Sequence, residues 1–345
     1  MTGIAGSADE LSREWLTEAL GTEVRSVTVE PIGTGQTSST YRLTLDADGC
    51  ARTLVAKLAE GSEDARRRVA TAHRNEIGFY RQLAPALRVR APDCQYAAIS
   101  DDGTSFTLLL EDLAPRRPGR QADGCSFADA TKAVESLARL HASRWNDPSV
   151  NEINFLVPLT EDRAAFLADL AQTATDQFVT RYADQLDAED ALTLHAAAEV
   201  LFEWQVSNRE PFSLVHGDYR LDNLMLDPAG GDVVVVDWQT LTVAFPGRDL
   251  GYFIGTSLPA AQRRAEEGQL VSTYHEALQL QGVLDYPFDR CWTDYRVGQL
   301  QGPMITVIGS MTSVGPRSPL ADAMFLSMAQ RSCAAVRDHH SIEAA

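Results

Sequence analysis

Basic residues are scarce in this 345-residue chain, which has 30 Lys and Arg against 48 Asp and Glu and a formal net charge of −18. Clustered Lys and Arg hold nucleic-acid phosphates, so we expect no nucleic-acid partner. An acidic surface would attract a cationic substrate, but an acidic coat that maintains solubility is the simpler interpretation. The charge therefore excludes one class of partner and names none.

Cysteine and long apolar runs are also scarce. The five cysteines are scattered without a CxxC pair, which fits a reducing compartment and predicts no zinc site. No apolar run approaches the ~20 residues of a membrane-spanning helix, so we expect no membrane partner. The first residues, MTGIAGSADELSREW, lack a basic stretch followed by an apolar one. We therefore predict no secretory signal and a cytoplasmic location.

The apolar pattern divides the chain into two parts. Residues 1–113 combine short strand-like stretches with an amphipathic pattern over residues 63–84, whereas residues 114–345 are mainly helical. A Pro-, Gly- and Arg-rich segment at residues 115–120 marks the boundary. We predict an α+β fold with two lobes: a small antiparallel sheet with one long helix, then a larger helical lobe.

Helical spacing and capping residues locate several further elements. They predict a helix over residues 9–20 that ends near Gly21, and a helix that Ser126 caps and that continues to Trp145. Asp249 is expected at the start of a helix, and residues 288–310 are predicted as one helix. His141 lies on the apolar face of its helix, where a core histidine is the simpler interpretation than a catalyst.

Three polar side chains lie between two strand-like runs in the middle of the second part. The run at residues 212–215 leads to Asp218, the run at residues 233–236 leads to Asp237, and Asn223 lies between them. Turn residues between the runs predict a hairpin that brings both acids to the same edge.

Two carboxylates and an amide are oxygen ligands of the kind that Mg²⁺ prefers, whereas zinc would favour nitrogen and sulfur. Asn223 and Asp237 are the candidate ligands, and Asp218 is then able to accept a proton from an attacking hydroxyl. A Ser-His-Asp hydrolase with His216 is disfavoured because no G-x-S-x-G elbow is present. The other alternative is that these residues only cap loops.

Lys57 lies in an otherwise apolar strand, VAKLA, and Glu76 follows 19 residues later in the predicted helix. A buried ammonium needs a partner, and a carboxylate on a helix packed against the strand would supply one. The alternative is that Lys57 extends to solvent and Glu76 faces water.

The segment HGDYRLDN, from His216 to Asn223, resembles the H-G-D-x-x-x-x-N catalytic loop of the aminoglycoside phosphotransferase and choline kinase-like superfamily, relatives of protein kinases. Asp237-Trp238-Gln239 resembles their metal-binding D-F-G segment. With the later R-D-L, the pattern is most similar to the ecdysteroid kinase-like branch and its bacterial relatives. The resemblance covers nearly the whole chain and implies a two-lobed protein kinase-like fold.

The resemblance also implies a role for each candidate residue. Asp218 would be the catalytic base, and Asn223 with Asp237 would bind Mg²⁺. Lys57 would hold the phosphates of ATP and Glu76 would orient Lys57. The other implied nucleotide-binding residues belong to a Gly-rich turn and to the connection between the lobes: Gly33, Gly35, Ser38, Ser39, Glu111 and Leu113. Residues 1–113 would thus bind nucleotide, and residues 114–345 would carry the catalytic loop, the metal site and the acceptor-binding helices.

Departures from the protein kinase pattern refine the hypothesis. Ser38 replaces the third glycine of the Gly-rich loop, and Gln239 replaces the glycine of D-F-G. Only 11 residues separate Asp237 from Asp249, and no A-P-E follows, so no regulated activation loop fits. We therefore expect ATP-dependent phosphorylation of a hydroxyl on a small molecule.

Two alternatives to this hypothesis stay open: an aminoglycoside or macrolide phosphotransferase, and a non-catalytic nucleotide-binding protein. The sequence does not indicate an oligomeric state. The acceptor is expected against helices of the second lobe, where six side chains belong either to the acceptor pocket or to the core: Trp145, Trp204, Tyr252, Trp292, Tyr295 and Met304.

Overall fold

The computed structural model describes residues 3–32, 38–207, 210–312 and 318–345. The chain divides into two compact units. The first unit comprises Met1–Ala86, Ala91–Pro115 and Val236–Thr240, and the second comprises Leu87–Arg90, Arg116–Val235 and Leu241–Ala345. The main break falls two residues after the predicted boundary at residue 113. The short segment that contains Asp237 belongs to the first unit, which the sequence pattern did not indicate.

An antiparallel sheet forms the centre of the first unit, in the order β1-β2-β3-β5-β4. A helix precedes it, and its elements are α1 (Arg13–Leu20), β1 (Val24–Pro31), β2 (Ser38–Ala47), β3 (Cys50–Ala59), β4 (Cys94–Ile99) and β5 (Phe106–Glu111). The side chain of Ser12 caps α1, and Gly21 ends it with a φ of +64°. One face of the sheet buries Leu43, Leu54 and Leu109 together with Leu16 of α1. The predicted antiparallel sheet is confirmed.

The helix predicted over residues 63–84 is interrupted. It consists of α2 (Glu63–Arg68), α3 (Ala70–Gly78) and a π-helical turn at Phe79–Leu83. The break falls at Val69, whose backbone leaves the helical region with φ −106° and ψ 9°. Nothing in α2 is buried, whereas α3 buries most of its residues. The Arg-rich α2 thus has no apolar face to pack, in contrast to α3.

The second unit is mainly helical, with two small sheets in the orders β10-β7 and β6-β8-β9. Its elements are β6 (Arg117–Pro118), α4 (Phe127–Ala142), α5 (Glu161–Arg181), α6 (Ala188–Glu199), α7 (Leu201–Ser207), β7 (Ser213–Val215), β8 (Leu224–Leu226), β9 (Val234–Val235), β10 (Thr242–Ala244), α8 (Gly247–Ser257), α9 (Ala260–Leu280), α10 (Phe288–Gly298), α11 (Gln301–Thr312) and α12 (Pro319–His339).

The hairpin predicted between residues 212–215 and 233–236 is wrong. β7 pairs with β10, and β9 pairs with β8. The turn residues do form a turn, since Asp227 accepts a hydrogen bond from Ala229 N and Gly230 has a φ of +74°. Through this turn β9 pairs with β8, the strand directly before it, and β7 pairs with β10 instead.

Two predicted helices are shorter than expected. Ser126 caps α4 as predicted, but α4 ends at Ala142 and does not reach Trp145. The region 288–310 contains two helices, because α10 ends at Gly298. A Cβ on Gly298 would lie 1.8 Å from the carbonyl oxygen of Gly247, so α8 and α10 approach at backbone distance. No helix in the described ranges is long and apolar enough to cross a membrane.

Candidate active site

The loop that follows β7 brings Asp218 and Asn223 together in the second unit. Gly217 has a φ of +81°, a conformation that glycine adopts without strain, and it turns the chain between β7 and Asp218. A 3₁₀ turn at Leu221–Asn223 then directs Asn223 back toward Asp218. The Asn223 amide donates to the carbonyl oxygen of Asp218 at 2.9 Å and to Asp218 Oδ2 at 3.1 Å. The amide nitrogen is thus engaged, and the amide oxygen is the atom with which Asn223 would bind a cation.

Asp249 anchors this loop from the first turn of α8. Its carboxylate accepts hydrogen bonds from His216 N at 2.6 Å and from Gly217 N at 2.9 Å, and it is fully buried. Burial opposes ionisation, but the hydrogen bond and charge of His141 and the backbone donor outweigh it, so the pKa of Asp249 is lowered. The prediction of a first-turn acid at this position is confirmed, and the acid also orders the residues before Asp218.

His141 is a buried core residue, the simpler of the two interpretations of its position. Its Nδ1 lies 2.7 Å from the Tyr274 hydroxyl, and its Nε2 lies 3.3 Å from Asp249 Oδ2. Both ring nitrogens therefore have partners within the unit, and His141 supports the loop anchor.

Both carboxylate oxygens of Asp218 accept hydrogen bonds from neighbouring side chains. The Tyr252 hydroxyl donates to Oδ1 at 2.8 Å, and Arg220 Nε donates to Oδ2 at 3.1 Å. Burial and the charge of Asp218 raise the pKa of Tyr252 well above its ordinary value, so the phenol stays protonated and donates. Burial would lower the pKa of Arg220, but the charge of Asp218 outweighs it and the pKa is raised. Asp218 is thus a carboxylate held in one orientation while its side chain stays 21% exposed.

Arg220 was not singled out from the sequence. It also pairs with Asp222, so one guanidinium lies between two carboxylates. The signal for this role is the alternation Asp218, Arg220, Asp222, which places the three side chains on the same short loop.

In the first unit, Lys57 lies between two carboxylates. Its Nζ is 2.8 Å from Glu76 Oε1 and 3.4 Å from Asp237 Oδ1. The Glu76 side chain is 2% exposed and the Lys57 side chain 12%, whereas Asp237 remains 42% exposed. Burial would lower the pKa of Lys57, but the charges of Asp237 and Glu76 outweigh it and the pKa is raised. The lysine is therefore a fixed cation, and Asp237 is the partner that solvent or a ligand reaches.

Contacts of Trp238 and Gln239 hold the segment after Asp237 in the first unit. The Trp238 ring stacks on Phe79 with centroids 3.7 Å apart and an interplanar angle of 9°. The Asn75 amide donates to the Gln239 carbonyl oxygen at 3.0 Å, and the Gln239 amide donates to Glu76 Oε2 at 3.1 Å. Gln239 stands where a protein kinase has glycine. Its amide thus donates to the second carboxylate oxygen of Glu76, whose first oxygen pairs with Lys57.

Asp237 itself has a φ of +64°, in the left-handed region that few non-glycine residues adopt. Such a conformation costs free energy and is maintained where the surrounding structure requires it, often at a functional site. Here the contacts of Trp238 and Gln239 fix the backbone on the C-terminal side of Asp237.

The remaining residues that the resemblance assigned to nucleotide binding lie around the sheet of the first unit. Ser38 and Ser39 begin β2 and pair with Ala59 and Leu58 of β3, and Ser38 is buried. Gly33 and Gly35 lie outside the described residues. Glu111 ends β5 with its N–H donating to the carbonyl oxygen of Asp93 at 2.8 Å.

Leu113 lies just after β5 and is buried. Beside it, the Asp112 carboxylate accepts from Arg42 Nε at 2.8 Å and from Ala114 N at 3.2 Å. The connection after β5 is therefore ordered by its own hydrogen bonds.

Most of the aromatic and Met acceptor candidates are core residues. Trp204, Tyr252 and Tyr295 are fully buried and Met304 is nearly so, whereas Trp145 and Trp292 are half-buried. The Trp204 indole donates to the Val297 carbonyl oxygen at 2.9 Å, which is a structural contact. Tyr252 differs from the others because its hydroxyl reaches Asp218.

Asn223 in the second unit and Asp237 in the first unit each offer an oxygen ligand that suits Mg²⁺, which takes one or two protein oxygens and leaves its other positions to water and phosphates. Among the described residues, no group of three or more His, Cys, Asp or Glu side chains forms a self-sufficient metal site. A cation bound by either residue would therefore depend on phosphate oxygens for much of its coordination.

Residues 28–287 match the phosphotransferase enzyme family, and this match covers most of the chain. The chain belongs to that family. The predicted superfamily is confirmed, and so is the prediction of a phosphotransferase. The more specific assignment to the ecdysteroid kinase-like branch stays a prediction.

Solved structures with the same fold cover almost all of this phosphotransferase. A putative aminoglycoside phosphotransferase from Ralstonia eutropha is 18% identical, with a TM-score of 0.56 and coverage of 94% of this chain and 97% of that one. Ethanolamine kinase from Plasmodium vivax is 12% identical, with a TM-score of 0.57 and coverage of 96% and 90%. The predicted two-lobed, kinase-like α+β fold is confirmed.

A curated relative matches a shorter stretch. Acyl-CoA dehydrogenase family member 10 from Mus musculus is 31% identical over 110 residues, which is 26% of this chain and 10% of that protein. The match thus spans about a tenth of the relative.

Proposed function

We propose that this phosphotransferase moves the γ-phosphate of ATP to a hydroxyl group of a small organic acceptor. The observation that carries the proposal is the position of Lys57, buried between Glu76 and the partly exposed Asp237. A cation fixed by one buried carboxylate, beside a second carboxylate that a ligand can reach, suits a metal-bound polyphosphate.

The nucleotide side of the reaction is proposed for the first unit. Lys57 binds phosphate oxygens, and Glu76 keeps its ammonium in place. Asp237 and Asn223 are each proposed as a ligand of Mg²⁺, which would neutralise phosphate charge when bound. Ser38, Ser39 and the glycines Gly33 and Gly35 are proposed to cover the phosphates, and the backbone of Glu111 and Leu113 to bind adenine.

The acceptor side is proposed for the loop that carries Asp218. The acceptor oxygen forms a bond to the γ-phosphorus while the bond from that phosphorus to the ADP oxygen breaks, and the hydroxyl proton passes to the Asp218 carboxylate. Tyr252 and Arg220 hold the carboxylate in one orientation for that transfer. Phosphoryl transfer depends on such positioning more than on covalent chemistry.

Nucleotide binding is testable without knowing the acceptor, because the chain has only two lysines, Lys57 and Lys132. An acyl-phosphate derivative of ATP acylates a lysine that lies beside the bound phosphates. We expect the reagent to acylate Lys57 and free ATP to reduce that acylation. Lys132 serves as the internal control and should not be acylated. Equal labelling of both lysines would contradict the nucleotide site.

Transfer is tested by incubating the protein with Mg-ATP and a library of hydroxyl compounds that includes amino alcohols, aminoglycosides and macrolides. ADP formation above the ATP-only background identifies an acceptor. Asp218→Asn should then lower kcat by about three orders of magnitude or more and leave ATP affinity nearly unchanged. Retained turnover in this variant would remove Asp218 from the role of base, and ATP binding without any transfer would favour a non-catalytic protein.

A further inference from the structure

A cavity of about 340 Å³ opens in the second unit, apart from the residues assigned above to phosphoryl transfer. Its wall is mostly apolar and includes Val150, Leu156, Phe212 and Val243, and two of its polar residues are Gln205 and Arg248. A cavity of this size with an apolar wall and a few polar groups is typical of a small-molecule site.

The cation in this wall, Arg248, has no ion-pair partner among the described residues. Arg248 is 7% exposed, and in the described part of the chain no carboxylate lies within ion-pair distance of its guanidinium. Nε and Nη2 donate to the neutral Gln301 Oε1 at 3.0 and 2.9 Å, and the guanidinium lies 4.6 Å from the Trp204 ring centroid. Nη1 makes no hydrogen bond within the described ranges and is not enclosed by protein.

Two other arginines of the same unit, the buried Arg263 and the half-buried Arg220, show the usual arrangement. Arg263 pairs with Glu267 and Asp338, and Arg220 pairs with Asp218 and Asp222. A buried charge without a partner costs several kcal/mol of solvation, on the order of what a bound anion would restore. Burial lowers the pKa of Arg248 to about 10, against the opposing charge of Asp249, so the side chain remains a cation at neutral pH.

A second polar atom of the wall is also unsatisfied. Gln205 Nε2 donates to the carbonyl oxygens of Ala164 and Leu201 at 3.3 and 3.4 Å, whereas Gln205 Oε1 is buried with no hydrogen-bond partner in the described part of the chain. Buried polar atoms are ordinarily hydrogen-bonded, but this oxygen is an acceptor with almost no accessible surface, so it does not contribute to anion binding.

We propose that this cavity binds a small monocarboxylate with an apolar body. The carboxylate pairs with Arg248 Nη1, and the apolar body covers Val150, Leu156 and Val243. Arg248 suits this role because a guanidinium presents directed donors to a planar carboxylate. None of the lining residues is proposed for ATP binding or proton transfer, and the Gln301 amide, which accepts from Arg248, donates to the Gly217 carbonyl oxygen at 2.9 Å.

Calorimetric titration with hexanoate, octanoate and decanoate tests the proposal at pH 7.5. We expect saturable binding that tightens about four-fold for each added methylene until the cavity is filled. Octanamide is the matched probe, because it keeps the apolar chain and lacks the charge. Octanamide that binds as tightly as octanoate, or no binding of any of the three acids, would overturn the proposal.

Two variants test the cavity in different ways. Arg248→Gln removes the charge and should weaken octanoate binding about 30-fold or more. Ala244→Phe fills the cavity and leaves Arg248 in place, so it should abolish binding even if Arg248→Gln fails to fold. Arg163→Gln removes an exposed arginine outside the cavity and should bind octanoate like the wild type. Wild-type affinity in the folded Ala244→Phe variant would place the ligand elsewhere.

Discussion

Replacing Lys57 with Met would leave the Glu76 carboxylate buried without its cation. The Glu76 side chain is 2% exposed, so water cannot replace the lost partner, and among the described residues the Gln239 amide is another donor to it. Removing one partner of a buried ion pair destabilises a protein by about 3–5 kcal/mol. We expect a loss of this size at pH 8.

The loss should depend on pH, because burial already raises the pKa of Glu76 and Lys57 opposes that rise. Without Lys57 the pKa of Glu76 rises further. When the pKa of a carboxyl group is higher in the folded state than in the unfolded state, the fold has its full stability below the unfolded-state pKa of about 4.3. This contribution to stability is lost as the pH rises through the folded-state pKa. The deficit of the variant should therefore grow from pH 5 to pH 8, by about 1.4 kcal/mol for each unit of additional pKa shift.

Urea unfolding followed by circular dichroism at pH 5, 6.5 and 8 measures this deficit. Hydrogen exchange at a single pH then shows whether β3 and α3 of the first unit are the elements that open. The Lys57→Met/Glu76→Gln double variant is the control, because its neutral amide should remove the pH dependence. A deficit below about 1 kcal/mol that does not change with pH would indicate a solvent-exposed pair and refute the reasoning.

Three further substitutions test the second unit. Tyr252→Phe should lower kcat about ten-fold with little change in the KM for ATP, because Asp218 loses a donor that orients it; an unchanged kcat would show that the other donors suffice. Asp249→Asn should lower the free energy of urea unfolding by about 3 kcal/mol. The difference between wild type and variant should shrink below about pH 3.9, because a carboxylate with a lowered folded-state pKa loses its stabilising contribution as the pH falls through that pKa. A difference that does not change with pH would argue against a stabilising charge on Asp249. Gly298→Ala should lower the Tm by about 6 °C or more, because its Cβ would lie 1.8 Å from Gly247 O; a wild-type Tm would mean that α8 and α10 are farther apart in solution.

Local patterns in the sequence predicted the elements of the fold well. Alternating apolar residues marked the strands of the first unit, and Ser126 marked the start of α4. The motif from His216 to Asn223 located the loop of the second unit, where the structure brings Asp218 and Asn223 together. These features depend on residues close in sequence, so the sequence contains the information directly.

Features that depend on distant residues were not predictable. β7 pairs with β10, nearly 30 residues later, because the turn near Gly230 commits β9 to β8. The contact of Tyr252 with Asp218 joins a helix to a loop 34 positions earlier. Likewise, no carboxylate in the described part of the chain forms an ion pair with Arg248, which is a property of the packed unit that no spacing rule indicates.

The stack of Trp238 on Phe79 links the first unit to a segment made much later. During synthesis, a ribosome that has completed only the first 115 residues has made the whole sheet of that unit but not Val236–Thr240. Phe79 then lacks the ring that covers it, and Lys57 lacks Asp237. The unit that begins the chain therefore becomes complete only after about two thirds of the protein has been made.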